Sequence, residues 1–263
     1  MRRWSVFSVV LGILLGPLPA LAAGCFPVAR NGQDIVPAAF RQAAIPADST
    51  VQLTYLGHSS FLIETRGGVT AVTDYNGYNR PSFVPDIVTM NNAHSTHYTS
   101  NPDPGIGHVL RGWNPSGGWA EHNILVEDLR VRNVPTAVHG RSGTDALSNS
   151  MFVFEVEDLC IAHLGHLHHV LTREQVGEIG QIDIVLVPVD GSYTMSQDEM
   201  FDVLDQIRAE LVIPMHFFGP TTLGRFLALA ERKGYEVVRA ADPVVALSRM
   251  TLPHRQVMVL PGS

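Results

Sequence analysis

Cysteine is nearly absent from this 263-residue sequence, which carries only Cys25 and Cys160. A small disulfide scaffold is thereby excluded. Charge is sparse too. Only 16% of residues are charged, the net charge is −7, and no long run of lysine and arginine occurs. A nucleic-acid-binding surface is not expected from that balance. No internal repeat is visible, and no linker divides the chain. What is present is enough apolar residue, 45%, to form a core, so disorder is excluded. The other surplus is histidine, with 12 residues against the two cysteines.

The N-terminus reads as a secretory leader. Arg2 and Arg3 precede an apolar run over 4–15, Gly16-Pro17 breaks it, and Ala20-Leu21-Ala22 follows as a small-x-small cleavage signal. The run of about 12 residues falls short of the roughly 20 needed to span a bilayer. Residues 1–22 are therefore expected to be removed on export to the periplasm or beyond. Ala22-Ala23-Gly24-Cys25 also resembles a bacterial lipobox with its leucine one place too far away. If that site is used, Cys25 carries a lipid anchor. Cys25 and Cys160 could instead pair in an oxidising compartment, or Cys160 could be a buried core thiol.

Residues 23–50 read as a surface arm, and 51–263 as one folded domain. Strands are expected at 51–55, 60–65, 69–73, 86–90, 129–133, 151–156, 159–163, 183–187, 211–213, 236–239 and 256–260. Arg66-Gly67-Gly68 marks a hairpin between the second and third. Thr172 with Gln175, and Ser196 with Glu199, form capping boxes for two helices. Leu223, Phe226, Leu227 and Ala230 give a third, stopped by Gly234. The glycine-rich stretch 98–122 is long enough to be a binding loop, with Tyr98, Trp113 and Trp119 as an apolar wall and Arg111 and Arg141 as anion receptors. Strands followed by strand–helix–strand units predict an α/β fold with helices outside a sheet core.

Six histidines fall in two short windows that each follow a strand: His94 and His97, then His163, His166, His168 and His169. His216 ends a third strand. Neutral imidazole is a favoured ligand for zinc, iron and manganese. Three strand-end loops that converge their histidines would make a metal site.

At this point the sequence resembles a family. Asn91-Asn92-Ala93-His94-Ser95-Thr96-His97 is similar to the T-H-x-H-x-D-H loop of the metallo-β-lactamase fold superfamily. Tyr55-Leu56-Gly57-His58-Ser59-Ser60 resembles the opening motif of its ascorbate-phosphate-lactonase-like branch. Ala162-His163-Leu164-Gly165-His166-Leu167 and Ile213-Pro214-Met215-His216 resemble two later motifs, in family order. The resemblance implies a four-layer αββα sandwich and a metal-dependent hydrolase acting on a small molecule. It also implies two ligand groups. Asn92, His94 and His163 would form site one, and His97, His166 and His216 site two.

The departures shape the expectation. Asn92 replaces the family's first histidine, Thr96 its loop aspartate, and His166 its bridging aspartate. An imidazole bound through one nitrogen cannot bridge two cations as a carboxylate does. One tightly held ion is therefore expected at His97, His166 and His216, with a second weak or absent. Zinc is the expected ion, with manganese and iron as alternatives. Its bound water would attack a lactone, ester or phosphodiester bond. Asp190 is the candidate base or supporting partner, and His94 the candidate for stabilising the developing oxyanion. Asp74 is expected to orient a ligand loop, and His58 to support the site from behind. His168 or His169 could replace a lost ligand. The alternative is a non-catalytic relative that binds metal or ligand.

Overall fold

A computed structural model describes residues 34–36, 45–140 and 143–262, with the backbone alone for 34–36, 139–140 and 143–147. The residues read as a leader, most of those read as an arm, Cys25 and Arg141 lie outside the described residues. Two sheets stack face to face. The larger has nine strands in the order β1-β7-β8-β9-β10-β11-β12-β15-β13, and the smaller six in the order β14-β2-β3-β4-β5-β6. Their ranges are β1 Asp34–Val36, β2 Val51–Gly57, β3 Ser60–Thr65, β4 Thr70–Val72, β5 Ile87–Met90, β6 His108–Arg111, β7 Asn123–Val126 and β8 Leu129–Gly140. The chain continues with β9 Gly143–Val156, β10 Leu159–His163, β11 Ile184–Pro188, β12 Leu211–Met215, β13 Glu236–Arg239, β14 Val244–Leu247 and β15 Gln256–Val259. Three helices are found among the described residues: α1 Arg173–Ile179, α2 Gln197–Ile207 and α3 Pro220–Arg232.

Strand alternation builds the layers, because successive side chains point to opposite faces. Phe61 and Ile63 of β3 meet Phe152 and Phe154 of β9 between the sheets. Val153, Val185 and Val212 point the other way, onto the helices. Leu62 and Val88 leave the small sheet on its outer side. There the covering is loop rather than helix among the described residues, with the Tyr98 and Trp113 rings 5.4 Å apart in an edge contact. The expected two-sheet sandwich is present, then, with its helices gathered on one face. Of the aromatic wall expected from 98–122, Tyr98 and Trp113 serve that outer cover and Trp119 is exposed, and the segment contains the strand β6.

Both capping boxes form, Thr172 with Gln175 and Ser196 with Glu199. Each satisfies amide groups that a helix start would otherwise leave bare. The apolar stripe of α2, Met200, Phe201, Leu204 and Ile207, is buried, and Phe201 stacks on Phe226 of α3 at 5.0 Å. Strands β10, β11 and β12 are parallel and buried on both faces. Their carboxyl ends therefore open at one edge of the sandwich, the usual ligand edge of a parallel sheet. Cys160, buried in β10, is disulfide-bonded rather than a free thiol. Its partner lies outside the described residues. No helix among the described residues is long and apolar enough to cross a membrane.

Candidate metal centre

Five strand ends and one turn meet at that edge. The turn between β2 and β3 brings His58, the end of β4 brings Asp74, and the loop after β5 brings His94 and His97. The ends of β10, β11 and β12 bring His166, Asp190 and His216. His58, Asp74 and His216 all hold left-handed backbone, with φ of 55°, 45° and 53°. That conformation is uncommon outside glycine and clusters at functional sites.

His97 and His216 are buried, and each turns its Nδ1 to a carboxylate. The His97 Nδ1 lies 2.6 Å from Asp74 Oδ2, and the His216 Nδ1 lies 3.0 Å from Asp190 Oδ1. A carboxylate accepts, so both Nδ1 atoms donate and both Nε2 atoms are left with lone pairs. Those two Nε2 atoms face each other at 3.2 Å. Two acceptors at that distance repel unless a cation or a proton lies between them. Tetrahedral zinc with Zn–N bonds of about 2.0–2.1 Å separates its ligand nitrogens by roughly 3.3–3.4 Å. The spacing suits a shared ion.

His58 completes the group. Its Nε2 is buried without a hydrogen-bond partner, and its ring lies 4.3 Å from that of His216. Ligand atoms of His58, His97 and His216 all lie within 4.8 Å of one another. Burial, with His216 and His97 nearby, lowers the His58 pKa to about 4, so the ring is neutral and ligand-ready at pH 7. The structure thus groups His58, read from the sequence as supporting the site from behind, with the two buried histidines that could hold an ion. Its signal lay in the sequence as a lone histidine at a strand turn, without the spacing that marked the others.

His166 stands edge-on to the same space, its ring 4.8 Å from His97 and 5.3 Å from His216. Its Nδ1 meets His168 Nε2 at 2.7 Å. Burial first, then the other histidines, lower its pKa to about 2. His94 is exposed at the rim, 6.1 Å ring to ring from both His97 and His166. Its Nδ1 lies 3.0 Å from Thr96 Oγ1.

The expected site one does not assemble. His163 is fully buried, with Nε2 2.8 Å from the Ser59 carbonyl and Nδ1 accepting from the Gly165 amide at 3.1 Å. Both nitrogens are used by backbone, so no lone pair remains for an ion. The Asn92 amide donates to the Ser148 carbonyl at 2.7 Å. His169 accepts from the Ala137 amide and turns Nδ1 to the Val170 carbonyl, so it replaces no ligand.

Asp74 and Asp190 are positioning groups. Burial would raise the Asp74 pKa, but His97, His163 and the Asn91 amide outweigh it and hold the pKa at about 2. Asp190 accepts from His216, the Thr194 hydroxyl and the amides of Ser192, Tyr193 and Thr194. These bonds, chiefly the one from His216, outweigh its burial and lower its pKa. A carboxylate with its oxygens so fully engaged is a poor proton acceptor. Of the two roles left open for Asp190, the geometry carries the orienting one.

Residues 52–216 match a family described as a beta-lactamase superfamily domain. Among curated relatives, a UPF0173 metal-dependent hydrolase of Opitutus terrae is 28% identical over 218 residues, which cover 71% of this chain and 95% of that protein. Another, of Salinibacter ruber, is 26% identical over 218 residues with the same shares. Among solved structures, a Thermotoga maritima protein assigned to the Zn-dependent hydrolases of the metallo-beta-lactamase superfamily is 30% identical. It superposes with a TM-score of 0.62 over 81% of this chain and 100% of that one. Igni18, a metallo hydrolase from Ignicoccus hospitalis, shares the fold at 20% identity with a TM-score of 0.54, over 82% of this chain and 97% of its own.

Proposed function

The chain belongs to the beta-lactamase superfamily and is a metal-dependent hydrolase; from that premise we propose that it holds one divalent ion on His58, His97 and His216. The facing Nε2 atoms of His97 and His216, each with its Nδ1 on a carboxylate, carry this reading. The orphaned Nε2 of His58 supports it. Zinc suits an all-imidazole set, with manganese and iron as alternatives. When bound, the ion supplies Lewis-acid polarisation of the scissile carbonyl or phosphoryl oxygen and a more acidic water.

The chain's own groups set the rest. Asp74 and Asp190 retain the Nδ1 protons and so present both Nε2 lone pairs inward. His166 stays neutral at working pH and walls the site, its Nδ1 tied to His168. His94, at the exposed rim, exchanges protons with solvent and meets the substrate oxygen first. The bond cleaved is a lactone, ester or phosphodiester of a small molecule. We place the enzyme outside the cytoplasm, a reading that the leader pattern at 1–22 and the bonded state of Cys160 support.

Elemental mass spectrometry of the purified protein tests the site. About one equivalent of metal is expected in the wild type, retained in His163→Ala and lost in His216→Ala. Chelation should abolish turnover of an ester and lactone panel, and added metal should restore it. No bound metal after loading with zinc, manganese and iron would overturn the reading.

A further inference from the structure

Seven large apolar side chains stand exposed among the described residues. Most are scattered singly, which is ordinary for a protein surface. Tyr193 and Phe218 are different. They are 66% and 61% exposed, and their rings meet edge to face at 5.4 Å. The Phe218 ring also lies 5.4 Å from His216 and 5.7 Å from His58. An aromatic pair thus opens to solvent directly against two of the three residues assigned to the ion.

The pair is held in place rather than merely left over. Phe218 follows His216 by two residues, and the intervening Phe217 packs the other way, against the helices. Phe218 is thereby turned outward on a strand end fixed by the buried His216. The Tyr193 backbone amide donates to Asp190 Oδ2, in a loop that also brings the Ser192 and Thr194 amides to that carboxylate. One carboxylate therefore orients His216 and anchors the loop that carries Tyr193. Metal ligand and aromatic wall are built on the same support.

Charge narrows what the wall would meet. A divalent ion beside the two buried carboxylates Asp74 and Asp190 is balanced, and the histidines add no charge when neutral. Among the described residues, the charges that act most on His58 and His94 are other histidines and these two aspartates. A balanced centre beside bare aromatic surface suits an uncharged ester or lactone with an aryl or alkyl group. The two rings themselves offer no charge to a phosphodiester anion.

We propose that Tyr193 and Phe218 form the acyl-group subsite of this hydrolase, which acts on neutral esters or lactones carrying an apolar substituent. The proposal rests on the metal-centre reading above. Edge-to-face aromatic contact and burial of a phenyl group against the pair would supply the preference.

The test compares hydrolysis of 4-nitrophenyl acetate, 4-nitrophenyl 4-phenylbutyrate and bis(4-nitrophenyl) phosphate by zinc-loaded wild type, Phe218→Ala and Tyr193→Ala/Phe218→Ala. Binding of 4-phenylbutan-2-one, which cannot be hydrolysed, is read in parallel by saturation-transfer NMR. The wild type should prefer the phenylbutyrate over the acetate in kcat/KM. The double variant should lose at least tenfold of that preference, mostly through KM, while keeping one equivalent of zinc. Phe218→Tyr should restore it. The ketone signal should appear in the wild type and vanish in the double variant. If the ketone behaves so but no ester turns over, the subsite stands and the hydrolase reading falls. If esters turn over and the double variant keeps the preference, the subsite falls and the hydrolase stands. A wild type that favours the phosphodiester also overturns the proposal.

Discussion

At the residue scale, the free imidazole nitrogens decide which side chains can hold an ion. Sequence spacing marked His97, His166 and His216 because each follows a strand, and Asp74 because it ends one. The same spacing marked His163, and the family resemblance Asn92; the structure uses both otherwise. What removes His163 is the Ser59 carbonyl, 104 positions earlier in the chain. That contact is set by packing between the sheets, and no local pattern announces it. His58 was read as standing behind the site for the converse reason: its orphaned Nε2 arises where the β2–β3 turn meets the end of β12, through the bond from the His216 amide to the His58 carbonyl at 2.7 Å. One prediction follows at this scale. Asp74→Asn removes the charge that fixes the His97 tautomer, and loss of such a partner typically costs about 10–100-fold in metal affinity. Competition with a chromophoric chelator at pH 7 measures it, and the Asn92→Ala variant should shift affinity far less.

At the element scale, the buried β3 and β10 were legible over their full ranges, while the longest strands, β8 and β9, were legible only over 129–133 and 151–156. The ranges of β3, β10 and β13, and both capping boxes, lie where the alternation and the capping residues put them. Strands β6, β7 and β14 are four residues each with few buried side chains, so their apolar signal is too weak to stand above loop composition. Gly112, read only as part of a glycine-rich loop, has a specific duty. A Cβ there would meet the Asn91 carbonyl oxygen at 2.3 Å, so the chain can pass this close only as glycine. Asn91 in turn gives its amide to Asp74 Oδ1 at 3.0 Å, which ties this loop to the metal centre.

The β2–β3 turn carries a pH signature. The Tyr55 hydroxyl donates to the His58 carbonyl at 2.9 Å, and burial pushes its pKa up to about 12. The unfolded chain ionises this group near 10, so the neutral phenol stabilises the folded state fully below pH 10. That contribution is lost as pH rises from about 10 through 12, and amounts to about 2–3 kcal/mol. Denaturant unfolding across that range should show the loss in the wild type and a flatter profile in Tyr55→Phe. Equal slopes in the two proteins would contradict the assignment.

At the scale of the whole molecule, the layered α/β class was legible in the order of strands and helices, and the two-sheet sandwich in the family resemblance. Among the described residues the outer face of the small sheet is covered by loops, whose burial depends on tertiary packing. The sandwich matters here because it opens six chain segments at one edge. Those segments come from both sheets, so an ion there would cross-link the two layers.

The most direct measurement is anomalous diffraction at the zinc edge from crystals of the zinc-loaded protein. The account predicts one dominant peak about 2.0–2.1 Å from the Nε2 atoms of His97 and His216, with His58 as the third ligand. A peak centred on Asn92, His94 and His163 instead, or no peak at this edge of the sandwich, would contradict it.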